Sequence, residues 1–145
     1  MKRMILFIFM TLFLFAGCNS RETHQIDDYI WEMISIQSID EGGEIVAHGS
    51  TATGVLETDV QKELICRAKN GILTLTDKTA DKTYTGTYRL ETTTPDSVIY
   101  MVTIENSDGT AVAAHTTYAD GSREPTLIII TDGYVLNFFA GSATS

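Results

Sequence analysis

The sequence predicts an all-β fold of about eight antiparallel strands in a meander that closes into a small barrel. Short runs of β-branched and aromatic residues alternate in polarity with a period of two, as strands with one buried face do. Asn-Gly and Asp-Gly pairs separate several of these runs and favour hairpin turns. Successive hairpins leave two open edges, and closure into a barrel removes both. A two-sheet β-sandwich is the alternative.

The first strand is predicted over Tyr29–Ser38, a run rich in aromatic and β-branched residues. A turn with two glycines leads into a short second strand over Glu44–His48. The stretch 49–63 is the least regular part of the chain. A single helical turn, capped by Asp59 and ending at Leu64, is the one element predicted there.

Asn70-Gly71 is the strongest hairpin signal in the chain, because both residues tolerate a positive φ. A tight turn at this pair places Cys66 opposite Leu75 and Arg67 opposite Thr74. The two faces of the hairpin then separate into apolar and mostly polar residues. The pairing register is therefore predicted with the hairpin.

The next strand, over Thr83–Glu91, has the clearest alternation of the whole chain. Gly86 in its middle indicates either a close approach of neighbouring backbone or a sharp bend at a barrel corner. The residues predicted to share the inner face of this strand are Tyr84, Gly86, Tyr88 and Leu90.

A further hairpin is predicted from Val98–Glu105 and Thr110–Tyr118, joined through residues 106–109. Its register puts His115 on the inner face, across from or diagonal to Tyr100. His115 is then either a buried histidine that is hydrogen-bonded to a tyrosine hydroxyl or to backbone, or part of a ligand cavity.

The last hairpin pairs Thr126–Thr131 with Tyr134–Ala140 around Asp132-Gly133. Its inner face is apolar, but so is much of its outer face, and a strand pair that faces water on one side should alternate. Either another part of the chain, such as the Thr58–Leu64 turn or a second sheet, covers the outer face, or a partner does. The candidate partner patch consists of Ile128, Ile130, Val135 and Phe139.

The N-terminus carries an export signal pattern. Lys2 and Arg3 precede an apolar run of about 12 residues, which is too short to span a bilayer and fits the core of a signal peptide. The run ends in Ala16-Gly17-Cys18, which resembles the signal of bacterial lipoproteins. That resemblance implies cleavage before Cys18, lipidation of its thiol and anchoring to a bacterial membrane outside the cytoplasm. An ordinary cleaved signal peptide with a chance cysteine is the alternative.

The predicted organisation is a signal peptide over residues 1–17, a lipidated polar tether over 18–28, a β-barrel domain over 29–140 and a tail over 141–145. The whole sequence has 10 basic and 19 acidic residues, and loss of Lys2 and Arg3 takes the net charge from −9 to −11. Such an acidic chain disfavours nucleic acid as a partner. Cys66 has no second cysteine to pair with once Cys18 is lipidated.

The barrel pattern, with a tryptophan in its opening strand (Tyr29-Ile30-Trp31), resembles the lipocalin group. That resemblance implies a barrel whose interior can hold a ligand. The residues that we expect to line such a cavity, facing the barrel interior, are Trp31, Tyr84, Tyr88, Tyr100 and His115.

No catalytic apparatus is predicted. The three histidines, His24, His48 and His115, have no nucleophile or second metal ligand at a recognisable spacing, so neither a metal nor another cofactor is expected. The expected function is a non-enzymatic binding module for a small apolar ligand or a protein partner. The alternative is an inhibitor or immunity-type lipoprotein that captures a cationic protein, such as a cell-wall lytic enzyme, through its negative charge.

Overall fold

A computed structural model describes residues 23–50, 58 and 60–144. Within these residues every regular element is a β-strand, and no helix has the length and apolar character that crossing a bilayer requires. The strands are β1 (Tyr29–Ser38), β2 (Ile45–His48), β3 (Leu64–Lys69), β4 (Ile72–Asp77), β5 (Lys82–Thr93), β6 (Val98–Ile104), β7 (Ser107–Thr117), β8 (Arg123–Thr131) and β9 (Tyr134–Ala143).

The sheet closes into a barrel because β1 pairs along its whole length with β9, from Tyr29 opposite Ala143 to Ser38 opposite Tyr134. The other edge of β1 meets β3, and the strands from β3 to β9 follow one another as antiparallel neighbours. Eight strands therefore form the closed barrel, and β2 is an additional strand. The predicted meander and its closure are confirmed, and the sheet is single rather than a two-sheet sandwich.

The extra strand β2 is inserted between β1 and β3 at one end of the barrel. Near its start, β1 pairs directly with β3, through Trp31 and Glu32. Further along, the partner of β1 is β2. The other edge of β2 meets the chain that leads into β3, because the His48 N–H donates to the Val60 carbonyl and the Lys62 N–H donates to that of His48, both at 2.9 Å. One inserted strand widens this end by about 4.8 Å of circumference.

The opposite end of the barrel is closed by a turn of the N-terminal segment. Ile26 is fully buried there. The Trp31 Nε1–H donates to the Ile26 carbonyl at 2.7 Å, and the Ile26 N–H donates to the Tyr100 hydroxyl at 3.3 Å. The Thr144 N–H donates to the Asp28 carbonyl at 2.9 Å, which ties this turn to the chain beyond β9. The core therefore includes a residue that the sequence prediction assigned to the polar tether.

The β3–β4 hairpin has the predicted register, with Cys66 opposite Leu75 and Arg67 opposite Thr74. Its turn residues Asn70 and Gly71 have φ values of 52° and 80°. The prediction of a helical turn ending at Leu64 is wrong over residues 60–64, because the backbone there pairs with β2 and then begins β3. Asp59 and residues 51–57 lie outside the described residues.

The β6–β7 hairpin turns earlier than predicted, so each β6 residue pairs with a β7 residue four positions before its predicted partner. Ile104 is opposite Ser107, so the turn consists of Glu105 and Asn106, and Glu105 has a φ of 55°. Residues 107–109, predicted as loop, are extended and pair with β6; the Thr103 hydroxyl donates to the Asp108 carboxylate at 2.7 Å. Because an even shift keeps every side chain on its face, the predicted inner and outer faces hold.

Gly86 allows β5 to approach β6 closely, as its position in mid-strand predicts. A Cβ atom at this position would lie 2.2 Å from the Thr103 carbonyl oxygen, closer than any packing permits. Leu90, predicted on the inner face, is exposed instead, next to a register shift between β5 and β6.

Candidate functional site

The end of the barrel that β2 widens contains a cavity of about 480 Å³. This volume lies within the range of about 300–1,000 Å³ that is usual for small-molecule sites. Most of its wall is apolar. The lining residues are Ile36, Val46, Ala47, Lys62, Leu64, Leu75, Asp77, Tyr84, Ile104, Glu105, Ser107, Thr131, Tyr134 and Leu136.

Strand alternation explains why these side chains meet. Leu75, Tyr84, Ile104 and Leu136 are inward-facing residues near this end of β4, β5, β6 and β9. The inserted strand β2 contributes its own wall through Val46 and Ala47. The cavity therefore exists at the end where the sheet has one strand more, while the other end is filled by core side chains.

An ion pair lies in the wall of this cavity. The Lys62 ammonium is 3.1 Å from the Oδ2 atom of Asp77, and the Ala80 N–H donates to Oδ1 at 2.9 Å. Asp77 is only 3% exposed, whereas the side chain of Lys62 keeps 38% of its exposure. Both carboxylate oxygens thus have a donor, and the partly exposed Lys62 side chain lines the cavity.

The pKa of the Asp77 carboxyl is lowered from its ordinary value, although two effects oppose each other. Burial is the largest single influence and acts to raise the pKa. The hydrogen bonds from Ala80, Lys62 and Thr79, together with the attraction of the Lys62 ammonium, outweigh it. Asp77 is therefore a charged group inside a mostly apolar wall.

Tyr84 is the one predicted ligand residue that lines this cavity. Its ring lies beneath the Lys82 ammonium, with 4.2 Å between the nitrogen and the ring centroid. Lys82 is also the cross-strand neighbour of Asp77. A second positive charge therefore lies on the strand next to Asp77, over a ring that lines the cavity.

Three other predicted ligand residues, Trp31, Tyr88 and Tyr100, do not line the end cavity. Trp31 and Tyr100 are buried in the core, and the rings of Tyr88 and Tyr100 pack edge to face at 5.7 Å. Burial raises the pKa of the Tyr100 hydroxyl, and the Ile26 N–H offsets part of that effect. Tyr88 also borders a separate recess of about 310 Å³ between β5 and β6, together with Arg89.

His115, the fifth predicted ligand residue, is not across from Tyr100. Because of the shifted hairpin turn, Ala111 is opposite Tyr100, while His115 pairs with Pro125 of β8. The imidazole of His115 packs against that of His24, with 4.5 Å between the ring centroids. His115 therefore lies away from the end cavity.

The four residues of the predicted partner patch lie together on the outer face of β8 and β9. Ile130 is opposite Val135, and Phe139 is opposite Thr126. Ile130 is 41% exposed, and Ile128, Val135 and Phe139 are half-buried. Residues 60–62, which the sequence offered as a cover, run alongside β2 instead.

Cys66 is buried opposite Trp31 and Leu75, and burial raises the pKa of its thiol strongly. Such a thiol behaves as a small apolar side chain. Cys18, the predicted lipid-bearing residue, lies outside the described residues. In the part of the chain that is described, no three or more His, Cys, Asp or Glu side chains are grouped so that they could hold a metal ion.

Fold and cavity together define a closed antiparallel β-barrel with one filled and one open end. Comparison of the chain with protein-family models, curated proteins and solved structures finds no match.

Sequence reasoning missed Lys62, Asp77 and Ile26. A lysine before a strand and an aspartate at the end of one carry no local signal, since their contact depends on β2 lying beside residues 60–62. Ile26 does carry a signal, as an isolated apolar residue in a polar segment just before the first strand.

Proposed function

We propose that this chain is a non-enzymatic binding module that takes a small, mainly apolar ligand into the open end of its barrel. The observation that carries the proposal is the cavity of about 480 Å³, whose mostly apolar wall contains the ion pair of Lys62 and Asp77. An apolar wall favours transfer of apolar surface from water, and a few polar groups orient the ligand. The resemblance of the barrel pattern to the lipocalin group supports the same function.

Neutral alkanols test whether the cavity accepts apolar chains. In a series from hexanol to decanol, measured by calorimetry, each added methylene that becomes buried should increase the affinity about fourfold, which corresponds to about 0.8 kcal/mol. The affinity should stop rising at the length that fills the cavity. A series with no measurable binding at any length contradicts the proposal.

Two tryptophan substitutions on β6 show where the alkanols bind. Ile104 lines the cavity, so Ile104→Trp fills part of it and should shorten the longest chain that binds. Ile99 is five positions earlier on the same strand, on the outer face and outside the cavity lining, so Ile99→Trp is the matched control. Equal alkanol affinities in both variants would place binding elsewhere on the molecule.

We further propose that the barrel works outside the cytoplasm, attached to a bacterial membrane by lipid on Cys18. The lipoprotein-like signal supports this, and two acyl chains are enough for stable anchoring because each buried methylene contributes about 0.8 kcal/mol. Expression of the full chain in a bacterium should yield a membrane-bound protein, and Cys18→Ser should release it. Equal membrane retention of both forms, after an alkaline carbonate wash, argues against lipid anchoring.

Capture of a cationic protein is the second candidate function, and the observation that favours it is the net charge of −9, or −11 without Lys2 and Arg3. Ionic strength separates the two functions. Electrostatic capture weakens steeply as salt is added, whereas binding of an alkanol hardly changes.

A further inference from the structure

The charges in the cavity wall indicate what kind of ligand end the site accepts. Among the residues that the structure describes, the charged ones that line the cavity are Lys62, Asp77 and Glu105. Each oxygen of Asp77 already accepts a hydrogen bond, one from Lys62 and one from Ala80. Because Asp77 is also only 3% exposed, a cationic ligand end has little access to the remaining lone pairs of its carboxylate.

Lys62 is in the opposite situation. An ammonium group has three N–H donors, and Asp77 takes one of them within the part of the chain that the structure describes. The side chain is more than a third exposed at the cavity, so its other donors remain accessible. An anionic ligand end can therefore join the ion pair without breaking it.

The surroundings of Lys62 add to this preference. The Lys82 ammonium covers the ring of Tyr84, which lines the same cavity. Glu105, the remaining charged lining residue, is exposed on the β6–β7 turn, where water screens its charge. Among the described lining residues, Lys62 therefore supplies the positive charge, and the exposed Lys82 adds a second one beside Tyr84, in a chain whose net charge is −9.

We infer that the ligand is an apolar chain that ends in a single anionic group of the carboxylate type, with Lys62 as the residue that binds the anionic end. This inference rests on the proposed function, and it assigns the ligand class of that same cavity. The chain packs against the apolar lining, including Leu64, Leu75 and Leu136. The carboxylate lies at the mouth, where it accepts hydrogen bonds from the Lys62 ammonium.

Ligands of equal chain length test the inference at neutral pH by calorimetry: decanoate, decanol and decylammonium. The unaltered barrel should bind decanoate most tightly and decylammonium least. Asp77→Asn keeps an oxygen that can accept from Ala80 and removes the competing charge, so it should bind decanoate more tightly. The double variant Lys62→Met/Asp77→Asn should bind decanoate about tenfold more weakly than Asp77→Asn does, because a charged hydrogen bond is lost.

Comparison of these two variants isolates Lys62, since neither leaves an unpaired buried carboxylate. Decanol should bind both equally. Lys78→Met is the matched charge control, because Lys78 pairs with Glu63 and does not line the cavity. Added salt should reduce the preference for decanoate over decanol.

Two results overturn the inference. Equal decanoate affinities in Asp77→Asn and the double variant exclude Lys62 as the binding group. Tightest binding of decylammonium means that the charged end of the ligand is cationic, not anionic. In both cases binding of decanol leaves the proposed function standing. If neither decanol nor decanoate binds any variant, the proposed function itself fails, and this inference fails with it.

Discussion

At the scale of single residues, Asp77 shows how a charge is kept inside a mostly apolar wall. A buried carboxylate without partners would be neutral or would destabilise the fold, because desolvation disfavours its charged form. Here the Ala80 N–H and the Lys62 ammonium each bind one oxygen. The resulting pair is charged, satisfied and still open to a ligand on the lysine side.

The lowered pKa of Asp77 predicts a pH dependence of stability. A carboxyl whose pKa is lower in the folded than in the unfolded chain stabilises the fold above its unfolded pKa, about 3.9. That contribution is lost as the pH falls through the folded pKa. Asp77→Asn should therefore lower the free energy of unfolding at pH 7, and the difference from the unaltered protein should shrink as the pH falls below about 4.

Urea unfolding at several pH values measures this difference. Asp132→Asn, on the exposed turn between β8 and β9, is the matched control. If the deficit of Asp77→Asn stayed the same from pH 7 to pH 3, the lowered pKa would not be a source of stability.

The pair of Lys62 and Asp77 was beyond sequence prediction for a physical reason. The two residues are 15 positions apart, on either side of a hairpin, and neither position is marked by alternation or turn chemistry. Their contact requires the chain before β3 to be held against β2. Tyr84 was predictable as a cavity residue because strand alternation alone turns its side chain inward.

At the scale of elements, the N-terminal turn closes the barrel in place of a strand or a helix. Ile26 enters the core, and its carbonyl and N–H bind the side chains of Trp31 and Tyr100. The Gln25 N–H donates to the Asp28 carboxylate at 2.7 Å, which holds the turn. One short turn therefore provides both the apolar plug and the hydrogen-bond partner that the buried indole needs.

Truncation of this plug should be costly. Ile26→Ala removes buried methyl and methylene groups and leaves a cavity, so we expect a loss of about 2–5 kcal/mol in the free energy of unfolding. Ile72→Ala removes the same atoms from an exposed position and should change stability by no more than about 0.5 kcal/mol. Denaturant unfolding compares the two variants, and equal losses would mean that Ile26 does not contribute as a core residue.

The hairpins show where sequence prediction of elements succeeds and where it fails. Asn70-Gly71 predicts the position of its turn correctly, because both residues readily adopt positive φ. The pairing register of β3 with β4 is then determined by this turn. Glu105-Asn106 is a poorer signal than Asp108-Gly109, yet the chain turns at the former. The cross-strand contact of Thr103 with Asp108 and the pairing of Gly109 with β8 keep the latter in a strand.

At the scale of the whole molecule, closure into a barrel could be predicted and the cavity could not. Closure follows from a meander with apolar inner faces and the need to remove its edges. The cavity depends on β2, whose four residues predict only a short strand. Its insertion depends on tertiary contacts. The pairing of β1 with β3 has to end after Glu32, and His48 of β2 has to pair with Gln61.

The pairing of β1 with β9 also has a kinetic consequence. The Asn137 side chain donates to the Ser35 hydroxyl across this seam, 102 positions away along the chain. Contacts of such high sequence separation form only after the loop-closure entropy has been overcome, and folds that depend on them fold in milliseconds to seconds. The β3–β4 and β8–β9 hairpins can form early. During synthesis, however, β1 cannot pair with β9 and close the barrel until β9, the last strand, has been made.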